Sequence, residues 1–410
     1  MRSYRLKLST FLVAAVLAAG IPDAQAIPFH AGGTGSCDGC HGPNFTAGSY
    51  STLRGVDPGS TCLRCHAATR PTEHQIATHP VPPKGIPPVS LTPGGDFAYL
   101  RKNYFWGDSN GKRGISPGER HGHNIVAAAY GYSRDTALLG SPGGSYPADA
   151  LSCISCHDPH GNYRVLDRYG TVSSEGNPIG EAGSYGAAAT SASSVGTYRL
   201  LAGKGYQTKS AGHLFMFDPP MAVSPTSYNR SEASSDTRVA YGKGVSKWCA
   251  NCHEGFLSGT SHIHPADVEL GVAIAATYNN YVKSGDLTGI RATAYTSLVP
   301  FQSGEVTDPQ QLSAELTSTA GPNPEDRITC LTCHRAHASG WDSIGRWNMK
   351  GNFLTVAGAY PGIDTNGTGN YGENSTGKLR TEYQTAMYGR DASGFATFQR
   401  QLCDKCHAKD

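Results

Sequence analysis

The residues of this chain that could do chemistry are twelve cysteines, arranged as six pairs that are each followed at once by a histidine. Two cysteines three positions apart with an adjacent histidine form the C-x-x-C-H pattern of c-type haem attachment. The six sites are Cys37/Cys40/His41, Cys62/Cys65/His66, Cys153/Cys156/His157, Cys249/Cys252/His253, Cys330/Cys333/His334 and Cys403/Cys406/His407. In this chemistry each thiol forms a thioether with a haem vinyl group, and the histidine binds the iron from one face. The sequence therefore predicts six covalently bound haem c groups, with no cysteine left for a disulfide.

Other uses of cysteine pairs fit this pattern poorly. Zinc sites combine two C-x-x-C elements across a short gap, whereas here each pair carries its own histidine and most intervals between pairs are long. A thioredoxin-like redox motif needs no adjacent histidine and would not recur six times. The spacing favours a multihaem cytochrome c over zinc, disulfide and free-thiol readings.

Ten further histidines are available as ligands on the second face of the irons. They are His30, His74, His79, His121, His123, His160, His213, His262, His264 and His337. Six irons with two histidines each need six of these ten, and methionine, the other common axial ligand, is scarce. No motif carries another residue in place of its histidine. The count favours electron transfer over catalysis, because catalysis at a haem needs an open position on the iron.

The first 26 residues have the features of a secretory signal peptide. Basic residues precede a short apolar run, and Ala24-Gln25-Ala26 is an A-x-A cleavage site. The leader takes three of the 34 basic and one of the 32 acidic residues, which leaves 31 of each. The sequence has no basic stripe of the kind that would indicate binding to nucleic acid. We expect residues 27–410 to form one exported hexahaem cytochrome c domain.

The composition predicts a loop-rich fold. Glycine and proline number 51 and 25, and charged residues make up 16% of the chain. We expect mostly irregular loops, with short helices and few short strands, wrapped around a row of six haems whose porphyrin faces replace much of the apolar core. The proline-rich stretch 71–95 cannot form a continuous helix. The stretch 170–212 is typical of a surface loop, and residues 265–298 carry the clearest helical periodicity.

Several runs resemble the OmcS-type outer-surface hexahaem cytochromes, the conductive nanowire family of metal-reducing bacteria. The runs are residues 92–97, 122–127, 156–161, 228–230, 238–242, 248–253, 284–289, 333–340 and 406–410. The resemblance covers essentially the whole mature chain and all six haem motifs. It implies a polymer whose subunits stack haems end to end and carry electrons out of the cell.

The resemblance also sorts the histidines. Residues in segments that match the family form the expected distal ligand set: His30, His74, His123, His160, His264 and His337. The family has a further histidine three residues after the first motif, which binds a haem of the next subunit, and here that position is Asn44. We expect another histidine to replace it. His79 is the first candidate, because it lies on the proline-rich segment after the N-terminal haem pair.

Three functions remain open on the sequence alone. The first is an extracellular filament that conducts electrons from donors in the periplasm or outer membrane to insoluble metal oxides or partner cells. The second is a discrete periplasmic or surface electron carrier. The third is a multihaem reductase with a substrate site.

Overall fold

The structure is a computed structural model, and it describes residues 37–42, 52–70, 74–107, 113–159, 165–166, 172–173, 198–223, 238–258, 264–294, 300–306, 311–312, 314–364 and 375–407. The predicted leader, His30, Asn44, His160 and His262 lie outside these ranges. Among the residues described, no helix is both long and apolar enough to cross a lipid bilayer.

Regular structure within these ranges is short and scattered. The α-helices are α1 (Cys37–Cys40), α2 (Pro58–His66), α3 (Val245–Cys249), α4 (Gly255–Ser258), α5 (Gly271–Asn280), α6 (Cys330–Cys333), α7 (Arg380–Ala386) and α8 (Asp404–His407). The 3-10 turns are Phe97–Arg101, Gly118–His121, Ala128–Tyr130, Ala148–Ala150, Cys153–Ser155, Tyr198–Leu200, Arg291–Thr293, Ala314–Thr317, Asp342–Ile344 and Ala392–Gly394. Most of the remaining chain that is described is loop, as predicted from the composition.

The strands form four separate two-stranded ladders. They are β1 (Ala67–Ala68), β2 (Ala77–Thr78), β3 (Tyr104–Gly107), β4 (Arg113–Ser116), β5 (Val165–Leu166), β6 (Val172–Ser173), β7 (Ala222–Val223) and β8 (Ala240–Tyr241). β1 and β2 pair in parallel, with Ala67 opposite Ala77, and the other three pairs are antiparallel. Such small ladders cannot hold a domain together without other packing.

Every described haem motif lies on a short helix or turn, and its sequence explains the start of that element. In α2, Asp57 accepts a hydrogen bond from the Ser60 N–H at 2.6 Å, and Pro58 occupies the first turn. The third and fifth motifs begin differently. There the N–H of Ser152 donates to the Ser155 hydroxyl at 2.9 Å, and the N–H of Thr329 donates to the Thr332 hydroxyl at 3.0 Å. These local bonds hold both cysteines of a motif on one turn.

One aromatic cluster connects the segments that carry the motifs. It extends from Leu63, in the second motif, to Leu402, just before the sixth. Near its centre the Tyr360 and Tyr383 rings stack with centroids 4.6 Å apart, and Trp341 meets Tyr383 edge-on at 4.6 Å. Buried aromatic side chains give such a core much of its apolar area. The cluster fixes where the loops between motifs lie.

Two expectations about the loops are resolved. The helical periodicity of residues 265–298 corresponds to α5, which packs against α8 through the sixth motif. The stretch 170–212 is not a surface loop throughout, since Leu200, Leu201 and Ala202 are buried. These three residues pair with the backbone of the third haem motif, and that tertiary contact outweighs their Gly/Ala/Ser-rich surroundings.

Candidate haem-binding sites

The motif cysteines whose side chains are described differ in exposure. Cys65 and Cys403 are exposed, whereas the others are partly buried. For Cys65 the reason is helix geometry, because successive helical residues are about 100° apart around the axis. Cys65 therefore lies almost opposite Leu63, which is fully buried in the aromatic cluster. The polypeptide alone therefore does not bury the Cys65 thiol. A haem vinyl group could still reach this thiol, and its role in haem attachment stays a prediction.

Four of the six motif histidines are held in one tautomer by backbone carbonyls. The Nδ1 atoms of His66, His157, His253 and His334 lie 2.8 Å from the carbonyl oxygens of His74, Arg199, Pro142 and Ser343, respectively. A carbonyl oxygen can only accept a hydrogen bond, so each Nδ1 carries the proton. The lone pair is therefore on Nε2, which is the arrangement that a histidine ligand of a metal requires.

Three motif histidines face a second imidazole at a spacing that suits an iron between them. The ring centroids are 6.3 Å apart for His157 and His337, 6.0 Å for His253 and His123, and 6.0 Å for His407 and His264. Bonds from imidazole nitrogen to a metal are about 2 Å long, so two imidazoles on opposite faces of one metal have centroids about 6 Å apart. Each pair joins one motif histidine to one member of the expected distal set. The residues therefore fit a six-coordinate haem at all three sites.

Desolvation keeps two of the second-face histidines, His123 and His337, neutral. Burial, with a smaller effect from the nearby His253, lowers the pKa of His123 to about 4. Burial also lowers the pKa of His337 to about 3, with smaller effects from His157 and His123. Only neutral imidazole has a lone pair for iron. At pH 7 both rings are in the ligating form.

The motifs follow one another in space in the order of the sequence. The Cys62 and Cys153 side chains are in hydrogen-bonding contact, and so are those of Cys249 and Cys330. Cys156 lies within electrostatic range of Cys249 and Cys252. Cys333 likewise lies within electrostatic range of Cys403 and Cys406. The second to sixth motifs therefore form a continuous series, with each motif next to its successor.

The first motif lies at the start of this series. His41 pairs with Leu53 in an isolated antiparallel bridge, and the N–H of Arg54 donates to the Cys40 carbonyl at 2.9 Å. The segment that returns from the first motif thus leads directly into α2. Of the expected second-face ligands, His74 lies beside His66 through its carbonyl, whereas His30 and His160 fall outside the described residues.

The fifth motif differs from its neighbours. Within the described ranges, His334 faces no second imidazole, although His253 and His264 both lie near enough to lower its pKa, after the larger effect of burial. Each of those two histidines pairs with another ring at 6.0 Å. The histidines of the three facing pairs are therefore already matched with one another. The second ligand of an iron at His334 must be a different residue.

Two histidines outside the expected ligand set already use their ring nitrogens. The His121 ring lies 2.9 Å from the Tyr99 carbonyl through Nδ1 and 2.7 Å from the Ser116 hydroxyl through Nε2. The Nε2 atom of His213 hydrogen-bonds to the carbonyl oxygen of Asn251, between the cysteines of the fourth motif. Both rings therefore contribute to the packing around the motifs; both nitrogens of His121 are engaged, and the Nε2 of His213 is engaged.

His79 packs within its own chain. Its ring meets Tyr130 edge-on, with centroids 4.8 Å apart, and its buried Nδ1 has no hydrogen-bond partner. The proline-rich segment that follows is anchored, because Lys102 Nζ donates to the carbonyls of Pro83 at 3.0 Å and Ile86 at 2.7 Å. The segment is thus not a free arm, and the role of His79 as a ligand between subunits stays a prediction.

The carbonyls that orient the histidines are functional groups that the sequence did not reveal. The Arg199 carbonyl is 42 positions from His157, and the Ala336 carbonyl that accepts from His123 Nδ1 at 2.7 Å is 213 positions away. Every residue has a carbonyl, so residue type gives no signal for this role. A cluster of three or more His, Cys, Asp or Glu side chains, as zinc would need, is absent from the described part of the chain.

Comparison with known proteins gives consistent matches. No protein-family model matches the chain. The C-type cytochrome OmcS of Geobacter sulfurreducens is 43% identical over 438 aligned positions, which cover 99% of each chain. Two solved structures from the same organism cover 93% of this chain and 100% of their own. They are an outer membrane cytochrome S filament, with a TM-score of 0.80 at 41% identity, and OmcS nanowires imaged by cryo-electron microscopy, with a TM-score of 0.81 at 43% identity.

Proposed function

Because this chain belongs to the family of the c-type cytochrome OmcS, we propose that it carries electrons out of the cell through six haems, in a filament built from copies of itself. C-type cytochromes bind haem covalently, and haem iron supplies reversible one-electron exchange. The observation that carries the proposal is the continuous series of motifs from Cys62 to Cys406, in which each motif lies in contact with the next or within electrostatic range of it.

The proposed ligands follow from the facing pairs. The twelve motif cysteines, with the exposed Cys65 and Cys403 among them, attach six haems, and the six motif histidines each bind one iron. His337 comes from the fifth motif and faces His157 of the third. This second-face ligand therefore comes from two motifs later in the sequence. The third motif has the same C-x-x-C-H-x-x-H pattern and ends in His160, so by the same offset we assign His160 to the haem of the first motif. One second face remains, at the second motif, and His30 and His74 are its two proposed ligands, of which His74 lies beside His66.

The surrounding residues hold these sites in a state suited to electron transfer. Hydrogen bonds from Nδ1 to backbone carbonyls make the imidazoles more basic, which stabilises the oxidised iron and fixes the plane of each ring. Two histidines per iron leave no position for a substrate. The chain is therefore proposed as an electron-transfer protein without a catalytic haem.

The proposed location and partners rest on the relatives and the leader. The solved relatives are named as an outer membrane cytochrome filament and as nanowires. We assign this chain to the cell surface or extracellular space, reached through the periplasm. Its partners would be further copies of itself, electron donors in the periplasm or outer membrane, and insoluble metal oxides or partner cells as acceptors.

The haem at His334 is proposed to take its second ligand from a neighbouring copy, with His79 as the first candidate. The buried Nδ1 of His79 lacks a partner, and an unpaired buried polar atom is unfavourable. Binding iron through this ring in another molecule would require it to leave Tyr130. His262, which lies outside the described residues, is the alternative from the same chain.

The experiment that tests the proposed function uses protein purified from the culture medium. Mass spectrometry should give a chain that begins at Ile27 with six haem additions, and negative-stain microscopy should show filaments. Single particles with six low-spin haems would instead indicate a discrete carrier. Binding of carbon monoxide by one reduced haem, with fast turnover of a small substrate, would indicate a reductase.

A further inference from the structure

The third and fifth haem motifs share an unusual backbone feature. Of the seven described non-glycine residues with positive φ, four form two consecutive pairs: Arg199 (54°) with Leu200 (57°), and Ser343 (57°) with Ile344 (54°). L-residues disfavour the left-handed region, and a β-branched residue such as Ile344 is rare there. Strained backbone of this kind persists where the surrounding structure enforces it, often at functional sites.

Both left-handed pairs contact their motif in the same way. The first carbonyl of the pair accepts from the motif histidine, His157 Nδ1 to Arg199 O and His334 Nδ1 to Ser343 O, at 2.8 Å in each case. The second carbonyl accepts from the next backbone N–H, Asp158 to Leu200 at 2.8 Å and Arg335 to Ile344 at 2.9 Å. The turn therefore directs two successive carbonyls at the histidine and its neighbour.

A third bond closes each arrangement. The N–H of Ala202 donates to the Cys156 carbonyl, and the N–H of Arg346 donates to the Cys333 carbonyl, both at 2.9 Å. In contrast, His74 and Pro142, whose carbonyls accept from His66 and His253, have no positive φ. The left-handed pair is therefore specific to two of the four motif histidines whose Nδ1 contacts are described.

The turn at Ser343–Ile344 is anchored by the acidic residue that directly precedes it. Asp342, directly before the pair, accepts hydrogen bonds from the Ser116 hydroxyl and from Lys350 Nζ, and its side chain is largely buried. Arg120 Nη1 lies 3.8 Å from the same carboxylate. These contacts hold the turn so that its carbonyls stay directed at His334.

We propose that the left-handed pairs Arg199–Leu200 and Ser343–Ile344 are positioning elements, which fix the hydrogen bond to the proximal histidine at the third and fifth haems and thereby keep their reduction potentials low. This inference rests on the assignment of His157 and His334 as iron ligands. A hydrogen bond from Nδ1 makes the imidazole a stronger donor to iron, which favours the oxidised state. Loss of the acceptor should raise the potential of that haem.

Ser343 allows a clean test because it is exposed, and within the described contacts its N–H makes no hydrogen bond. In Ser343→Pro the ring fixes φ near −65°, so the residue cannot stay left-handed. Ser343→Gly keeps that conformation without strain. Ala357 is the matched control, since it is also exposed and left-handed (52°), with no described hydrogen bond from its N–H, and no described contact links it to a histidine.

Redox titration and electron paramagnetic resonance of the purified six-haem protein give the readout. Ser343→Pro should move one of six steps to higher potential and change one low-spin signal, while Ala357→Pro should leave both unchanged. Ser343→Gly should match the wild-type titration and resist denaturant at least as well. An unchanged titration in folded Ser343→Pro overturns the inference. If that variant does not fold, a shifted potential or lower stability in Ser343→Gly overturns it. Failure of the proposed function is distinguishable in the wild-type protein: a wrong ligand assignment would show as fewer than six low-spin haems, and a discrete carrier would show as single particles in negative-stain images.

Discussion

A buried lysine in the aromatic cluster should destabilise the fold while it is charged. Lys378 is 1% exposed, and its Nζ lies 3.6 Å from the Tyr104 ring centroid and 4.7 Å from that of Trp341. The nearest carboxylates are engaged elsewhere, since Glu382 pairs with Lys102 at 3.1 Å and Asp342 pairs with Lys350. Lys378→Met replaces the ammonium with an uncharged side chain of similar length.

The expected size of the effect follows from the pKa. Burial lowers the pKa of Lys378 from the ordinary lysine value of 10.5 to about 7. At about 1.4 kcal/mol per pH unit, the buried charge costs roughly 5 kcal/mol. At pH 6 the Met variant should therefore be more stable by roughly 5 kcal/mol, in the direction seen when other buried charges are replaced by apolar groups.

The difference should depend on pH in a defined direction. Between pH 7 and 10.5 the unfolded chain keeps a proton on this lysine that the folded chain has lost. The wild-type free energy of unfolding therefore rises with pH across that window relative to the variant. By pH 9 the rise is about 3 kcal/mol, which leaves the Met variant more stable by about 2 kcal/mol.

Denaturant unfolding of the haem-loaded proteins, followed by circular dichroism at pH 6 and pH 9, measures both values. The control is Lys84→Met, because Lys84 is exposed and its replacement should change stability by less than about 0.5 kcal/mol. A Met variant less stable than wild type at pH 6, or a difference that does not vary with pH, would refute the reasoning. Lys378 would then be a charged residue stabilised by Glu382 and Asp342.

Three further predictions concern the irons. His264→Ala should remove the ring that faces His407, so one haem becomes high-spin and binds carbon monoxide when reduced. The control is His213→Ala, which should leave all haems low-spin because the Nε2 of His213 is bonded to the Asn251 carbonyl. The reverse result would show that the facing pairs are misassigned. His79→Ala should turn one haem high-spin and shorten or abolish filaments, and unchanged spectra with unchanged filaments would exclude His79 as the ligand between subunits. Steady-state assays with nitrite, hydroxylamine and sulfite should show only slow, nonspecific turnover, whereas fast, saturable reduction of one of them would point to a catalytic haem.

The sequence was most informative where chemistry restricts residue type. Cysteine pairs with an adjacent histidine predicted the motifs, and the family resemblance selected His123, His264 and His337, which the structure places opposite motif histidines. The predicted fold class, with few short helices and strands among loops, is confirmed, and so is the resemblance to OmcS. The expected single domain and the haem count stay predictions.

Backbone-mediated contacts were beyond the reach of the sequence. The carbonyls of Arg199 and Ser343 orient histidines because of their conformation, and neither an arginine nor a serine signals a left-handed residue. Leu200 and Ala202 lie next to a Gly/Ala/Ser-rich stretch, yet they are buried by pairing with the third motif. Lys378 is buried by aromatic side chains distant in sequence, a result of tertiary packing that composition does not record.

A cryo-electron microscopy map of the secreted protein at side-chain resolution tests the central claim most directly. It should show a filament with six haems per subunit in the order of the sequence. Irons should lie between His157 and His337, between His253 and His123, and between His407 and His264. Discrete particles, a haem order that departs from the sequence, or an iron with an open face in the interior of the row would contradict the account.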